Sequence, residues 1–228
     1  SLSPLSLFLS LPLDVGEATK KIESMLQSDQ GRTKLRQDLN ICKHGDLTSD
    51  NDKLNFFTNL AGNIDGVVQY NKDNNHFGRA AEEASVPTID SVCAIMVDGQ
   101  QPYDAYVAAQ KYLMGSECLE ISYSDMIAEM RNTSLDSDVA GGMRQWVYQT
   151  CVEFGYYQTS EDKNALPFAD TIPLSFSLQQ CQDIYGLPPP NVGWTNAYYG
   201  GCAQPKRCVL ARACVCMYVC VCVCDRVC

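Results

Sequence analysis

The stretch with the most reactive side chains is the cysteine-rich segment "CVCMYVCVCVC", Cys214–Cys224. Cysteines at Cys-x-Cys spacing could bind a soft metal ion as thiolates, or they could form disulfides. A third interpretation is a translated TG repeat, because in-frame TGT-GTG codons encode alternating Cys and Val. The Val, Met and Tyr between the sulfurs favour this third interpretation. We therefore predict no metal site, and we expect residues 202–228 to be a low-complexity tail outside the folded product.

A second repeat lies at the other end of the chain. The segment "SLSPLSLFLSLPL", residues 1–13, alternates Ser and Leu as an in-frame CT repeat would. Pro4 and Pro12 interrupt it and no basic residue precedes it, so it does not match a signal peptide. We expect residues 1–13 to be non-coding translation or disordered chain. Residues 14–201 are then the folded region.

Residues for acid–base or nucleophilic chemistry are scarce in that region. His44 and His76 lie in the polar segments "CKHGDLT" and "NKDNNHFG", where exposed loop histidines are the simpler interpretation. The sequence contains no G-x-S-x-G motif, which would place a nucleophilic Ser on a tight strand-to-helix turn. We predict no catalytic residue in this chain.

Charge and cysteine usage restrict the partners and the compartment. The net charge of −10 argues against nucleic acids and anionic membrane surfaces, because a basic face is needed to neutralise phosphates. The sequence contains no run of 18 or more apolar residues, the length that a helix needs to cross a membrane. Well-spaced cysteines and the sequon Asn132-Thr133-Ser134 are typical of a secreted protein, with Asn132 as the glycosylation site. The spaced cysteines number five, so at least one lacks a partner among them: Cys42, Cys93, Cys118, Cys151 and Cys181.

The elements that would position any site are mainly helices joined by polar loops. Apolar spacing predicts one helix through Ile22, Met25 and Leu26 and another through Leu35 and Leu39. Between these two helices Gly31 is the expected stop. A helix through Leu54, Phe57 and Leu60 should weaken at Gly62 and Gly66.

Later segments follow the same rules. "PYDAYVAAQKYLM" predicts a helix that begins near Pro102, and "IPLSFSLQQCQDIYG" predicts one that Gly186 ends. The double glycine before "MRQWVYQTCVEFGYYQTS" indicates a packed segment behind a tight turn. "SVCAIMV" fits a buried strand and a helix equally well, because seven residues are too few to show a period.

Four blocks resemble one protein family in order and spacing: "FTNLAGNIDGVVQYN", "GGMRQWVYQTCVEFGYYQT", "PLSFSLQQCQDIYG" and "TNAYYGG". They are similar to the serine peptidases related to lysosomal Pro-X carboxypeptidase and dipeptidyl peptidase II, a family that includes thymus-specific serine protease. The resemblance covers residues 14–201. Its most specific part is the run Trp146, Tyr148, Gln149, Cys151, Glu153 and Gly155.

The resemblance implies a mainly α fold, the helical cap inserted in an α/β-hydrolase whose hydrolase core is mostly missing here. It also implies a serine-type exopeptidase that acts on peptide termini through a Ser-His-Asp triad, without a cofactor, in the endosome or lysosome or after secretion. All three triad positions fall outside this chain, which should be inactive by itself. The alternatives are a catalytically dead secreted helical binding module and, less favoured, a metal-thiolate protein.

Site residues and disulfides follow from the same resemblance. Trp146, Gln149 and Glu153 would line the substrate cleft, with the Glu153 carboxylate meeting the free amino group of a peptide. The alternative makes Trp146 a core aromatic and Glu153 a surface acid, and a core position is the favoured one for Tyr148.

The family counterpart of Cys151 bridges to a cysteine upstream of the cap, and the sequence before Val15 has none. Cys151 is therefore expected to be a free or misassigned thiol. Cys42 and Cys118 are the predicted pair.

Overall fold

The computed structural model describes residues 4–71, 86–98, 100–161, 167–168 and 170–199. His76 and the cysteine-rich tail lie outside these residues. All regular elements among the described residues are helices, and the one β-type contact there is an isolated bridge between Ile41 and Leu119. This confirms the mainly α prediction. None of the described helices combines the length and the apolar character that a membrane span requires.

The described part of the chain contains nine α-helices. They are α1 (Pro4–Leu26), α2 (Asp29–Asp38), α3 (Asp50–Gln69), α4 (Ile89–Met96), α5 (Pro102–Met114), α6 (Tyr123–Arg131), α7 (Met143–Gln149), α8 (Leu174–Tyr185) and α9 (Val192–Tyr199). A 3₁₀ turn, Asp138–Gly141, precedes α7, and a π-helical turn, Thr150–Phe154, follows it.

Helix ends follow the local signals of the sequence. Ser28, Ser49 and Ser122 cap α2, α3 and α6, each accepting a hydrogen bond from a backbone N–H of the first turn. Pro102 begins α5, and Gly186 ends α8 in the left-handed conformation, as predicted. "SVCAIMV" is helical in α4, where Thr88 and Ser91 form a capping box.

The larger hydrophobic core lies among α1 to α5. Its fully buried side chains include Ile22, Leu35, Leu60 and Tyr106. One polar side chain is equally buried: Gln110 of α5 donates to the Leu60 carbonyl at 2.9 Å and accepts a bond from Asn63 at 2.8 Å. Because a buried amide is costly without partners, these bonds determine how α5 lies on α3.

A smaller core holds α6 and α8 together beneath α7. Tyr123 packs its ring 5.4 Å from that of Phe176, and its hydroxyl donates to Asp183 at 2.7 Å. Burial, together with this hydrogen bond to the carboxylate, raises the pKa of Tyr123. Ile127, Met130, Val139 and Ile184 complete the cluster.

The first disulfide prediction is confirmed. Cys42 and Cys118 are bonded, with their Cα atoms 5.1 Å apart, next to the bridge between Ile41 and Leu119. The bond ties the loop after α2 to the loop before α6.

The predictions that Gly31 stops a helix and that Gly62 and Gly66 weaken one are wrong. Gly31 does not stop a helix but lies in the first turn of α2, and the chain breaks earlier, at Gln27 and Ser28. A Cβ on Gly31 would lie 2.0 Å from the Met25 carbonyl oxygen, so glycine is needed for a close approach of α2 to the end of α1. Helix α3 likewise continues through Gly62 and Gly66, because the buried residues Leu60, Ala61 and Ile64 hold it against the core.

We expect Gly31→Ala to lower the free energy of unfolding by about 1–3 kcal/mol, because backbone atoms of Met25 must move to accommodate the new methyl group. Gly62→Ala is the matched control, since no atom lies within 4 Å of a Cβ there. This control should stabilise α3 by up to about 1 kcal/mol. Urea unfolding followed by circular dichroism measures both changes. Equal stability of the two variants would contradict the close approach.

Candidate functional site

The segment singled out by the sequence, residues 143–154, is one helical run whose last turn is widened. Helix α7 passes into the π turn, and Gly155 ends it in the left-handed conformation, donating its N–H to the Thr150 carbonyl at 2.9 Å. π turns are rare and are frequent at functional sites. Here the turn buries Thr150 and Cys151 on its inner side.

The inner side of the turn is anchored to α8. Cys151 is bonded to Cys181, and the Tyr157 hydroxyl donates to the Thr150 carbonyl at 3.0 Å. The prediction of a free Cys151 thiol is therefore wrong. That prediction considered only partners upstream of Cys151, whereas folding brings α8, 30 residues downstream, against the turn.

The three predicted substrate-binding residues all lie on the outer side of this run. Trp146, Gln149 and Glu153 are exposed, and their spacing of three and four residues places them along one helix face. Trp146 is 53% exposed, and its ring lies 5.9 Å from that of Phe154. Within the described residues, no hydrogen bond or ion pair occupies the Gln149 amide or the Glu153 carboxylate. An indole, an amide and a carboxylate are thus all accessible on one open face. We call Trp146, Gln149 and Glu153 the α7 face.

The alternative that makes the aromatics core residues does not fit. The exposure of Trp146 excludes a core position, and Tyr148 is 44% exposed with its ring at a T-shaped angle to Tyr185. The favoured core position of Tyr148 is therefore wrong. α7 is covered on one side only, so residues at its flanks remain at the surface.

The sequence analysis did not identify Arg144, which the structure places against Tyr185. The Arg144 guanidinium lies 5.0 Å from the centre of the Tyr185 ring, and the Tyr185 hydroxyl donates to the Arg144 carbonyl at 2.5 Å. Burial raises the pKa of Tyr185, and the positive charge of Arg144 opposes this effect. The buried Nε of Arg144 has no hydrogen-bond partner in the described structure. The contact joins residues 41 apart in the sequence, so no spacing within one helix indicates it.

The other candidate residues lie elsewhere and form no reactive site among the described residues. His44 is an exposed loop residue, as predicted, and its Nδ1 lies 2.9 Å from an oxygen of Asp125 at the start of α6. Cys42, Cys118 and Glu120 have potential metal-ligand atoms within 4.8 Å of one another. The disulfide between the two cysteines removes the thiolates that a metal ion would need.

An open groove of about 720 Å³ is also separate from the α7 face. It lies between α1, α2 and the start of α5, and Lys21, Lys34 and Tyr103 are among the residues that line it. Tyr103 and Lys34 both bind the Asp38 carboxylate, at 2.6 Å and 2.7 Å. Two of the polar groups of the groove are therefore already paired.

The α7 face carries the most specific motif of the sequence. Comparison with known proteins identifies the family to which this motif belongs. The family model described as Serine carboxypeptidase S28 matches residues 13–211. The chain belongs to this serine peptidase family. Mouse thymus-specific serine protease is 33% identical over 81% of this chain and 36% of its own length, and the human protein is 30% identical over 82% and 37%.

The predicted membership of a serine peptidase family that includes thymus-specific serine protease is thus confirmed. The chain spans a little over a third of the length of these curated relatives. The family match includes α7, the π turn and α9, so the exposed face of α7 is part of the family sequence. No solved structure matches the chain.

We expect the double variant Cys151→Ser, Cys181→Ser to lose about 3–4 kcal/mol of unfolding free energy, because the bond closes a loop of intermediate length in the unfolded chain. Peptide mapping without reduction should recover the segments around Cys151 and Cys181 as one linked species. The Cys42 to Cys118 species should persist in the double variant and serves as the internal control. Alkylation of Cys151 in the unreduced protein would refute the pairing.

Proposed function

We propose that residues 14–201 form the helical cap of a serine exopeptidase and that this chain does not hydrolyse peptides by itself. The observation that carries the proposal is the combination of a described structure whose regular elements are all helices with a match to a serine peptidase family. Coverage of little more than a third of the relatives and the absence of a G-x-S-x-G motif from the sequence support it. A nucleophile elbow needs a strand before its turn, and the described residues contain no strand.

The proposed substrates are peptides with free termini. On the outer face of α7, the Trp146 indole offers an apolar wall and the Gln149 amide can both donate and accept a hydrogen bond. Glu153 offers a negative charge that an ammonium group at a peptide N-terminus would pair with. These three groups are accessible in the isolated chain and would line a cleft once a catalytic domain faces them.

The proposed location is the secretory pathway, with delivery to the endosome or lysosome or secretion. Two disulfides between described cysteines support an oxidising compartment during folding. No cofactor is required, because triad chemistry uses protein groups alone. The metal-thiolate alternative concerns the tail outside the described residues and stays a hypothesis.

A fluorophosphonate probe tests the proposed function. We expect no labelling of the 228-residue chain, because it has no activated serine. A chimera in which residues 14–199 replace the matched part of mouse thymus-specific serine protease should be labelled, since it would restore a cap to a catalytic domain. Stoichiometric labelling of the free chain, or a secreted and folded chimera that is never labelled, would refute the proposal. The second result would favour a helical binding module.

The role of Glu153 is tested in the same chimera with Glu153→Gln. We expect the KM for a peptide with a free N-terminus to rise about tenfold, because the substitution removes a charge-assisted hydrogen bond worth about 1.4 kcal/mol. The KM for the N-acetylated peptide should not change. Asp136→Asn, which neutralises another exposed acid, is the matched control. An equal effect on both peptides would assign Glu153 a structural role.

Glycosylation of Asn132 is proposed from the position of the sequon. Asn132 to Ser134 are exposed at the end of α6, and the Asn132 Oδ1 accepts the Ser134 N–H at 3.0 Å, which leaves the Nδ2 free to be modified. Expression in mammalian secretory cells should give a protein whose mass falls after treatment with an N-glycosidase. Asn132→Gln should remove this shift, and a shift that persists in the variant would contradict the assignment.

A further inference from the structure

Helix α9 has a composition that does not suit its position at the surface. Its sequence, "VGWTNAYY", contains no charged residue, yet none of its residues is buried. Trp194, Tyr198 and Tyr199 are 54%, 67% and 63% exposed. Large apolar side chains grouped at a surface indicate contact with another molecule or domain.

These aromatic side chains form an ordered surface. The Trp194 and Tyr198 rings stack at 4.8 Å with an angle of 14°, and Tyr199 meets Tyr198 edge-on at 4.9 Å. Thr195 lies against Gly155, where an added Cβ would be 2.7 Å from its Oγ1. The contact places α9 beside Gly155, at the end of the π turn. We call Trp194, Tyr198 and Tyr199 the aromatic face.

The size of the aromatic face indicates what covers it. From the exposed fractions, the three side chains present roughly 400 Å² of mainly apolar surface. Interfaces between domains of one chain bury about 600–1,500 Å² in total, so one side of such an interface is of this size. A stable complex of separate chains needs about 800 Å² from each partner. The face therefore suits a partner held close by a covalent connection better than a second copy of the chain.

The comparisons supply a candidate for this partner. The family match extends through α9 to residue 211, so the aromatic face belongs to the peptidase sequence. Nearly two thirds of each relative lies outside the part that matches this chain, and both relatives are named serine proteases. We infer that the aromatic face is the surface on which the catalytic portion of the peptidase docks. This inference rests on the proposed function, and it places the Trp146, Gln149 and Glu153 face at the rim of that interface.

Hydrogen–deuterium exchange of residues 192–199 tests the inference without using activity. We expect the amides of α9 to exchange at least about tenfold more slowly in the chimera than in the free 228-residue chain, because docking covers the helix. The double substitution Trp194→Ser, Tyr198→Ser should abolish the difference. It should leave the thermal unfolding of the free chain unchanged, because neither side chain is buried there. Tyr70→Ser, at a tyrosine with 53% exposure after α3, is the matched control and should keep the protection.

Several outcomes would overturn the inference. Equal exchange of α9 in the chimera and the free chain, or protection that survives the double substitution, would exclude docking through the aromatic face. Protection that grows with concentration in the free chain would identify a second copy as the occupant instead. If the chimera is not secreted, the 228-residue chain is co-expressed with the mouse protein lacking its matched part, and failure to co-purify overturns the inference. Slow exchange of α9 in a chimera without fluorophosphonate labelling would keep the docking surface and refute the exopeptidase function.

Discussion

The bond between Cys151 and Cys181 is the constraint on which the presentation of the α7 face depends. It holds the inner side of the π turn against α8, and the hydrogen bond from Tyr157 to the Thr150 carbonyl closes the same side. Helix α7 is only two turns long and buries no side chain fully, so its own packing contributes little to its position. With the inner side held in this way, Trp146, Gln149 and Glu153 remain on the outside.

The smaller core supports this arrangement from below, and a few polar contacts connect it to the larger core. The Tyr123 N–H at the start of α6 donates to the Asp52 carboxylate of α3 at 2.9 Å. The second oxygen of Asp52 accepts the Asp46 N–H at 2.6 Å. One carboxylate in the first turn of α3 therefore joins three segments, and its charge also suits the positive end of the α3 dipole. The two cores are thus connected through this carboxylate.

The distribution of exposed aromatic side chains gives the chain an asymmetric surface. Charged residues cover α1, α2 and the loops around them, whereas α7, the π turn and α9 present Trp146, Phe154, Trp194 and Tyr198. Large apolar groups at a surface indicate contact with another molecule or domain.

The sequence by itself determined the family, the helical character, the Cys42 to Cys118 pair and the helix ends at Pro102 and Gly186. Apart from the disulfide, which joins residues 76 apart, these features depend on blocks of residue identity or on signals within one helical turn, as with the ring of proline and the left-handed conformation of glycine. The candidate substrate-binding residues were also found in this way, although their role stays a proposal. The helical state of "SVCAIMV" is accompanied by a local signal, the capping box of Thr88 and Ser91, which begins before that segment. Only the tertiary structure decided the close approach at Gly31, the pairing of Cys151 and the exposure of Tyr148, because each depends on how one helix packs against its neighbours. Periodicity within a short window has no information about which distant helix will lie against it, and packing alone settles that question.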